Sequence, residues 1–306
     1  TDGNATQLGY GFEVSGSRFV NFTDCQFSNH RWGVLWAAGS SDGNVTRCFV
    51  ADTPNSGLDC SHGQGEQRLV YTECIANIFS IGNPAYLRGV TSVRLQNCTA
   101  RQSINIYPNA YLVYIVGKHP TMSMTSPIIS LLAESTITGL PTGNHVPKRV
   151  YLQSGSSSLN SGASNPMQLH SLSNAQKSVE FVEARQWVFT NNFTDSSNAY
   201  RIGGSAFAPV MKFISCQFRN KAPYEFPVYV TSGPWNWTFE GCQFFKDTFS
   251  TTAYEKALRL GSSTSGTITM KGFNVFYSPN TPTNGRHINN LSYIQNDGTA
   301  TVNFVP

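Results

Sequence analysis

Apolar and polar residues alternate along many short segments of this chain. Three of these segments, GFEV (11–14), GVLW (33–36) and GLDC (57–60), begin with glycine and then alternate apolar and variable positions. Alternation over four to eight residues predicts a strand that is buried on one face. Residues suited to turns (Gly, Asn, Ser and Thr) separate the segments, and helical segments do not occur between them. The pattern therefore predicts an all-β chain of short strands.

The strand pattern repeats along the chain with a nearly constant period. Cys25, Cys48, Cys74 and Cys98 occupy equivalent places, separated by 23, 26 and 24 residues. Self-similarity at such a period indicates a repeat architecture, and propeller blades would need about 40–50 residues each. We therefore predict a right-handed single-stranded parallel β-helix, a solenoid of roughly a dozen coils with three parallel sheets. Equivalent residues of successive coils should form columns.

The repeat becomes irregular after residue 99 and returns between residues 186 and 278. There the alignment of segments predicts that Asn191, Cys216, Cys242 and Phe273 continue the cysteine column. Residues 200–202, 228–230 and 258–260 are predicted as partner strands. We expect the β-helix to cover residues 1–276 of what we interpret as a fragment of a longer chain. Residues 277–306 would form a terminal coil, a cap or the start of a C-terminal region.

The cysteine column is predicted to be reduced. Stacked neighbours lie about 4.8 Å apart, which is close enough for a disulfide by distance alone. Their side chains point the same way, however, so each thiol is expected to act as a small buried apolar group.

Composition excludes several classes of function. Charged residues make up 12% of the chain, the formal net charge is +4, and no cluster of basic residues occurs, so no nucleic-acid partner is predicted. No apolar run reaches about 18 residues, so no membrane insertion is predicted. Phosphate-binding loops, HExxH, CxxC and GxSxG motifs are missing from the sequence, and we expect neither a cofactor nor a metal site.

Two acidic residues are predicted to share one outward column. Residues one and three after each leading glycine should point inward and residue two outward, which places Glu13, Leu35 and Asp59 in a row. Two rungs separate the acids by about 9–10 Å, near the upper limit of the carboxylate spacing in inverting glycosidases. His62 and Glu66 follow in the adjoining turn and complete the candidate catalytic set. The alternative is that these acids are simply solvated on the surface.

Cationic and aromatic residues near this column and on a second outward track suit the binding of sugar rings and acidic sugars. The candidate substrate-binding residues are His30, Arg31, Trp32, Arg201, Tyr229, Trp235 and Arg259. The alternative is that the aromatic members belong to the core or to contacts between protomers.

The glycine-led strand, turn and cysteine-bearing strand together resemble the pectate-lyase-like right-handed β-helix superfamily. The Asn-, Ser- and aromatic-rich version with few charges is similar to bacteriophage tailspike and appendage depolymerases. This resemblance implies a homotrimer in the phage tail of a virion, with metal-free cleavage of a bacterial surface polysaccharide (capsule, exopolysaccharide or O-antigen) at the host cell surface. The family's N-terminal Gly-Asp-Gly opening, with its Asp-rich turn and short helix, is missing here.

Three functions remain open on the sequence. The first is glycoside hydrolysis, in which one of Glu13 and Asp59 protonates the leaving oxygen and the other activates water. The second is a polysaccharide lyase, with His62 as base and Arg31 holding a uronic acid. The third is a non-catalytic carbohydrate-binding or structural fibre module.

Overall fold

The computed structural model describes 9–306 with internal gaps. The gaps are 29, 31, 51–56, 62–64, 83–91, 108–109, 118–128, 132–147, 160–166, 170–178, 193–199, 203–209, 223–225, 249–254, 281–284 and 289–290. The described residues form strands, with no α-helix among them and a single 3-10 turn at Leu291–Tyr293. The prediction of an all-β chain with parallel sheets is confirmed.

In the largest sheet, sheet 1, the order of the strands follows their order in the chain. All of its neighbouring strands pair in parallel. Its main path contains β2 (Asn21–Thr23), β5 (Asn44–Thr46), β8 (Leu69–Thr72), β10 (Val93–Gln96), β12 (Leu112–Val116), β14 (Arg149–Gln153), β17 (Phe181–Arg185), β20 (Val210–Ile214), β22 (Val228–Glu240) and β24 (Leu258–Lys271). β19 (Tyr200–Ile202) pairs with β22, whereas β27 (Ile294–Asn296) and β28 (Thr301–Val305) pair with β24.

The predicted partner strands 200–202, 228–230 and 258–260 are therefore in register with one another. Because β27 and β28 add to β24 in parallel, sheet 1 continues beyond residue 276.

Two further sheets occur among the described residues. Sheet 2 contains β15 (Ser156–Leu159), β18 (Val188–Asn191), β21 (Gln217–Asn220), β23 (Gln243–Lys246), β25 (Val275–Tyr277) and β26 (Arg286–His287), and only the last pair is antiparallel. Sheet 3 contains β1 (Tyr10–Ser15), β3 (Gln26–Phe27), β4 (Trp32–Ala37), β6 (Phe49–Val50), β7 (Gly57–Ser61), β9 (Ile75–Ile81), β11 (Thr99–Ile106), β13 (Ile129–Leu131) and β16 (Met167–Leu169). Each step within a sheet is called a rung below.

Single residues in the left-handed region turn the chain at one corner of each rung. Asp24, Arg47, Glu73 and Asn97 have φ values of 55°, 49°, 54° and 53°. Each of them follows a sheet 1 strand, and its backbone N–H donates to a carbonyl oxygen of the next rung at 2.7–3.1 Å. A residue with a left-handed backbone conformation turns the chain here, and its backbone N–H still has a hydrogen-bond acceptor. The corner therefore preserves the register from one sheet to the next.

The residue after each of these four corners is the cysteine of the repeat. All seven cysteines are free thiols, and all except half-buried Cys25 are buried. Burial raises the pKa of the Cys242 thiol well above its ordinary value. The thiols donate weakly to backbone carbonyls, for example from Cys98 Sγ to the Tyr71 oxygen at 3.4 Å. The reduced cysteine column is confirmed.

Two of the later assignments to this column were wrong. The N–H of Gln217 donates to the Trp187 oxygen just as the N–H of Gln243 donates to the Cys216 oxygen, so Trp187, not Asn191, occupies the column. At the last rung the N–H of Val275 donates to Cys242, which places Asn274 in the column.

Both errors have a local cause. Asn191 is buried further along β18, where its amide donates to Asn220 Oδ1 at 3.2 Å. Phe273 is an extra residue after the left-handed Gly272, and 75% of it is exposed.

Candidate functional site

The backbone register places the two candidate acids in one column of sheet 3. Glu13 of β1 pairs with Leu35 of β4, and Leu35 pairs with Asp59 of β7. The same column continues to Ser80 and Asn105. The sequence prediction that Glu13 and Asp59 lie two rungs apart is therefore confirmed for the backbone. Their separation follows from the rung spacing as about 9–10 Å.

The centre of this column is shielded from solvent. Glu13 is exposed, whereas only 3% of Leu35 and 5% of Ser80 are accessible. Val34 and Trp36, on either side of Leu35 in sequence, fill the interior with no exposed surface, as alternation in β4 requires. An apolar leucine thus lies between the two acidic positions.

Of the other two members of the predicted catalytic set, Glu66 is described and His62 lies outside the described residues. Glu66 is fully buried next to Gln67, whose backbone bridges to Ser41 of the preceding rung. Glu66 precedes β8 in a connecting segment, and its complete burial gives it no surface from which to contact a bound polysaccharide.

The predicted binding residues near β4 are only partly described. Trp32 opens β4 and is half-buried, and a Cβ atom added to Gly57 would lie 2.9 Å from its Cζ3 atom. The glycine at the start of β7 therefore leaves room for the indole of the rung before it. His30 is half-buried, and Arg31 lies outside the described residues.

The second predicted track is in register as expected. Arg201 pairs with Tyr229, and Tyr229 pairs with Arg259. Arg259 Nε donates to Asp297 Oδ2 at 3.0 Å, and its guanidinium carbon lies 5.0 Å from the centroid of the Tyr229 ring. Hydrogen bonds from Gln295 and then from Arg259 lower the pKa of the Asp297 carboxyl. Arg259 is half-buried and is held by contacts within its own chain.

Trp235 is not a surface platform. It has no exposed area, and its ring centroid lies 5.0 Å from that of Trp237, which is also fully buried. Both residues lie in the 13-residue strand β22, where positions two apart point to the same side. The exposed residue between them is Asn236. The prediction that Trp235 binds substrate from the surface is corrected: it is a core residue.

Sequence reasoning missed an outward aromatic row on sheet 1. The rings of Tyr114 and Tyr151 stack at 5.0 Å with an interplanar angle of 15°, and Tyr151 lies 5.7 Å from Phe181. The signal was present in LVYIV (112–116), where apolar residues occupy both faces of one strand. A strand with two apolar faces indicates contact on both sides.

The described residues contain no group of three or more His, Cys, Asp or Glu side chains arranged to hold a metal ion. No helix in the described part of the chain is long and apolar enough to cross a membrane. Comparison with known proteins gives no significant match: no protein-family model matches the chain, and no curated protein or solved structure is significantly similar to it.

Proposed function

We propose that the three sheets are the sides of a right-handed single-stranded parallel β-helix of roughly a dozen coils. Two observations support this winding. Strands enter each sheet in chain order, and nearly every pairing is parallel. Connections between parallel strands of one sheet are almost always right-handed, because a right-twisted strand returns to its sheet only that way.

On this scaffold the chain acts as a tailspike-type depolymerase that binds and cleaves a bacterial surface polysaccharide by glycoside hydrolysis. The observation that carries this proposal is the shared column of Glu13 and Asp59. Their rung separation matches the upper end of the spacing that leaves room for a water molecule beside the sugar. The resemblance to phage appendages extends the proposal to a virion-borne homotrimer acting at the host cell surface.

The two acids divide two proton transfers between them. One of Glu13 and Asp59 protonates the leaving oxygen, and the other takes a proton from the attacking water. Inversion at the anomeric carbon follows from this arrangement.

Substituting either acid tests the site. We expect Asp59→Asn and Glu13→Gln each to lower the rate of cleavage by about a hundredfold or more, because each removes one proton transfer. The assay follows viscosity and new reducing ends with capsule or O-antigen polysaccharide. Glu73→Gln, at an exposed corner of the same stack, is the matched control. Full activity in both variants would show that the site is wrongly placed.

A non-catalytic carbohydrate-binding or structural fibre module is the second candidate. The observation that favours the structural fibre is that two predicted binding residues, Trp235 and Arg259, contact other residues of their own chain. A carbohydrate-binding module would bind the polysaccharide without a fall in viscosity and without new reducing ends, whereas a structural fibre would not bind it. A product that absorbs in the ultraviolet would instead assign lyase chemistry.

A further inference from the structure

Three exposed cationic side chains lie at alternate rungs on the outward face of sheet 1. They are Arg94 of β10, Arg149 of β14 and Lys212 of β20. Because β10, β12, β14, β17 and β20 are consecutive strands of the sheet, successive cations are two rungs apart. This separation is about 9.6 Å along the stack. Lys212 shares the register column of Arg94, and Arg149 lies two residues to one side of it. We name these three residues the cationic row.

The charges of the cationic row are not neutralised within the described part of the chain. Its two arginines make no ion pair and no side-chain hydrogen bond there. Lys212 Nζ lies 5.9 Å from the centroid of the Phe181 ring, a contact that leaves the positive charge intact. Glu183, the register neighbour of Lys212, accepts instead a hydrogen bond from Arg185 Nε at 2.6 Å. These five strands therefore carry three positive charges and one ion pair.

The strands that precede and follow the cationic row are uncharged, or their charges are paired. β2, β5 and β8 contain no charged residue. Lys271 Nζ of β24 donates to Glu240 Oε2 of β22 at 3.2 Å, and Arg259 of β24 donates to Asp297. Charged residues make up only 12% of the chain. A group of unpaired cations on such a protein indicates an anionic ligand.

Groups that can hydrogen-bond to sugars lie between the cations. The rings of Tyr114 and Tyr151 stack at 5.0 Å. Side chains on a strand stand roughly perpendicular to the sheet, so the two hydroxyl groups lie at the outer ends of the rings. Gln96 and Gln153 lie on the same side of the sheet, two residues after Arg94 and Tyr151. Phenol and amide groups both donate and accept hydrogen bonds, as sugar hydroxyls do.

The spacing of the charges identifies the class of ligand. Double-stranded nucleic acid carries one negative charge per about 1.7 Å of its axis, so cations about 9.6 Å apart would leave most phosphates unneutralised. The three cations are also too far apart to hold one small anion. A polysaccharide with a carboxylate on every second ring is charged much more sparsely, because two pyranose rings span roughly the length of two rungs. Its carboxylates can meet successive members of the cationic row.

We propose that the outward face of sheet 1 from β10 to β20 binds a linear acidic polysaccharide with one carboxylate per disaccharide. The polymer lies along the stack, its carboxylates contact the cationic row, and the tyrosines and glutamines bind the rings between them. The inference rests on the proposed function in taking the ligand to be a surface polysaccharide. Binding uses sheet 1 and cleavage uses Glu13 and Asp59 of sheet 3, so either can fail in its own assay without the other.

Hyaluronan oligosaccharides long enough to reach all three cations test this binding, because they carry one carboxylate per disaccharide. Isothermal titration calorimetry should detect binding to the unmodified chain. Arg94→Gln, Arg149→Gln and Lys212→Gln combined should weaken it about thirtyfold, since each exposed ion pair contributes about threefold and distant substitutions add. Oligosaccharides whose carboxylates have been reduced to alcohols should bind the unmodified chain equally weakly. No binding of hyaluronan, or equal binding of its reduced form, would overturn the proposal.

A matched triple variant separates the cationic row from net charge. Arg101→Gln, Lys221→Gln and Arg286→Gln combined remove the same charge from exposed positions on or beside sheets 2 and 3. Salt screens charges beyond about 8 Å, so this control should bind hyaluronan within about twofold of the unmodified chain. Circular dichroism should be unchanged in both triple variants. Equal losses of affinity in the two would show that binding follows net charge alone, and the proposed site would be wrong.

Discussion

Replacing Phe213 with alanine should lower the free energy of unfolding by about 4 kcal/mol. Phe213 is fully buried in sheet 1, and its ring lies 5.1 Å from Phe239 and 5.3 Å from Phe218. It also contacts Phe189 at 6.0 Å and Trp237 at 5.6 Å. The ring thus contacts residues of sheets 1 and 2, and the rigid rungs on both sides limit collapse of the cavity. Urea unfolding followed by circular dichroism measures the change.

Phe273→Ala is the matched control for this prediction. It removes the same side chain from a position that is 75% exposed, so the change in unfolding free energy should stay within about 0.5 kcal/mol. If Phe213→Ala and Phe273→Ala lowered the free energy of unfolding by similar amounts, the inward direction of the Phe213 side chain would be wrong.

Gly43→Ala should destabilise the chain by about 2–3 kcal/mol. Gly43 is buried just before β5, and a Cβ atom there would overlap Cη2, Cζ3 and Cζ2 of the Trp36 ring. Trp36 is itself fully buried, so it has little room to move away. Gly43 does not have a positive φ, so the loss comes from overlap and not from backbone conformation. Thermal and urea unfolding both report it.

A second substitution separates overlap from other causes. In a Trp36→Leu background the methyl group added by Gly43→Ala no longer overlaps an indole ring. The loss of unfolding free energy caused by Gly43→Ala should therefore be smaller by at least about 1 kcal/mol. Gly9→Ala has no heavy atom within 4 Å of the added Cβ and should be nearly neutral. Equal costs of Gly43→Ala in both backgrounds would show that the glycine is needed for another reason.

The period of the sequence was sufficient to predict which residues stack. Strand alternation fixes which side chains point inward, and a nearly constant repeat length puts equivalent residues on adjacent rungs. Glu13, Leu35 and Asp59 were placed in one column on these grounds alone, and the register agrees. The column Arg201, Tyr229, Arg259 was found in the same way.

The sequence could not show where the chain leaves strict periodicity. Phe273 is an extra residue after Gly272, so Asn274 takes the place in the column that was predicted for Phe273. Trp235 was predicted on the surface but is buried, because nothing in the sequence marks where the long strand β22 begins. The burial of Glu66 could not be predicted, because it depends on contacts between rungs that no local pattern encodes.

Distances between spin labels along one outward column test the in-register stack most directly. With one label at Lys212 and Cys25 replaced by serine, the second label is placed at Arg94, Asn44 or Asn21, which lie four, six and seven register steps away. Labelled chains are diluted with unlabelled ones, so that pulsed electron paramagnetic resonance detects pairs within one chain.

The stack predicts separations of about 19, 29 and 34 Å, a rise of about 4.8 Å per rung. Separations that do not increase in this order would contradict the parallel register. The shared column of Glu13 and Asp59, and the proposed hydrolysis with it, would then lose its basis.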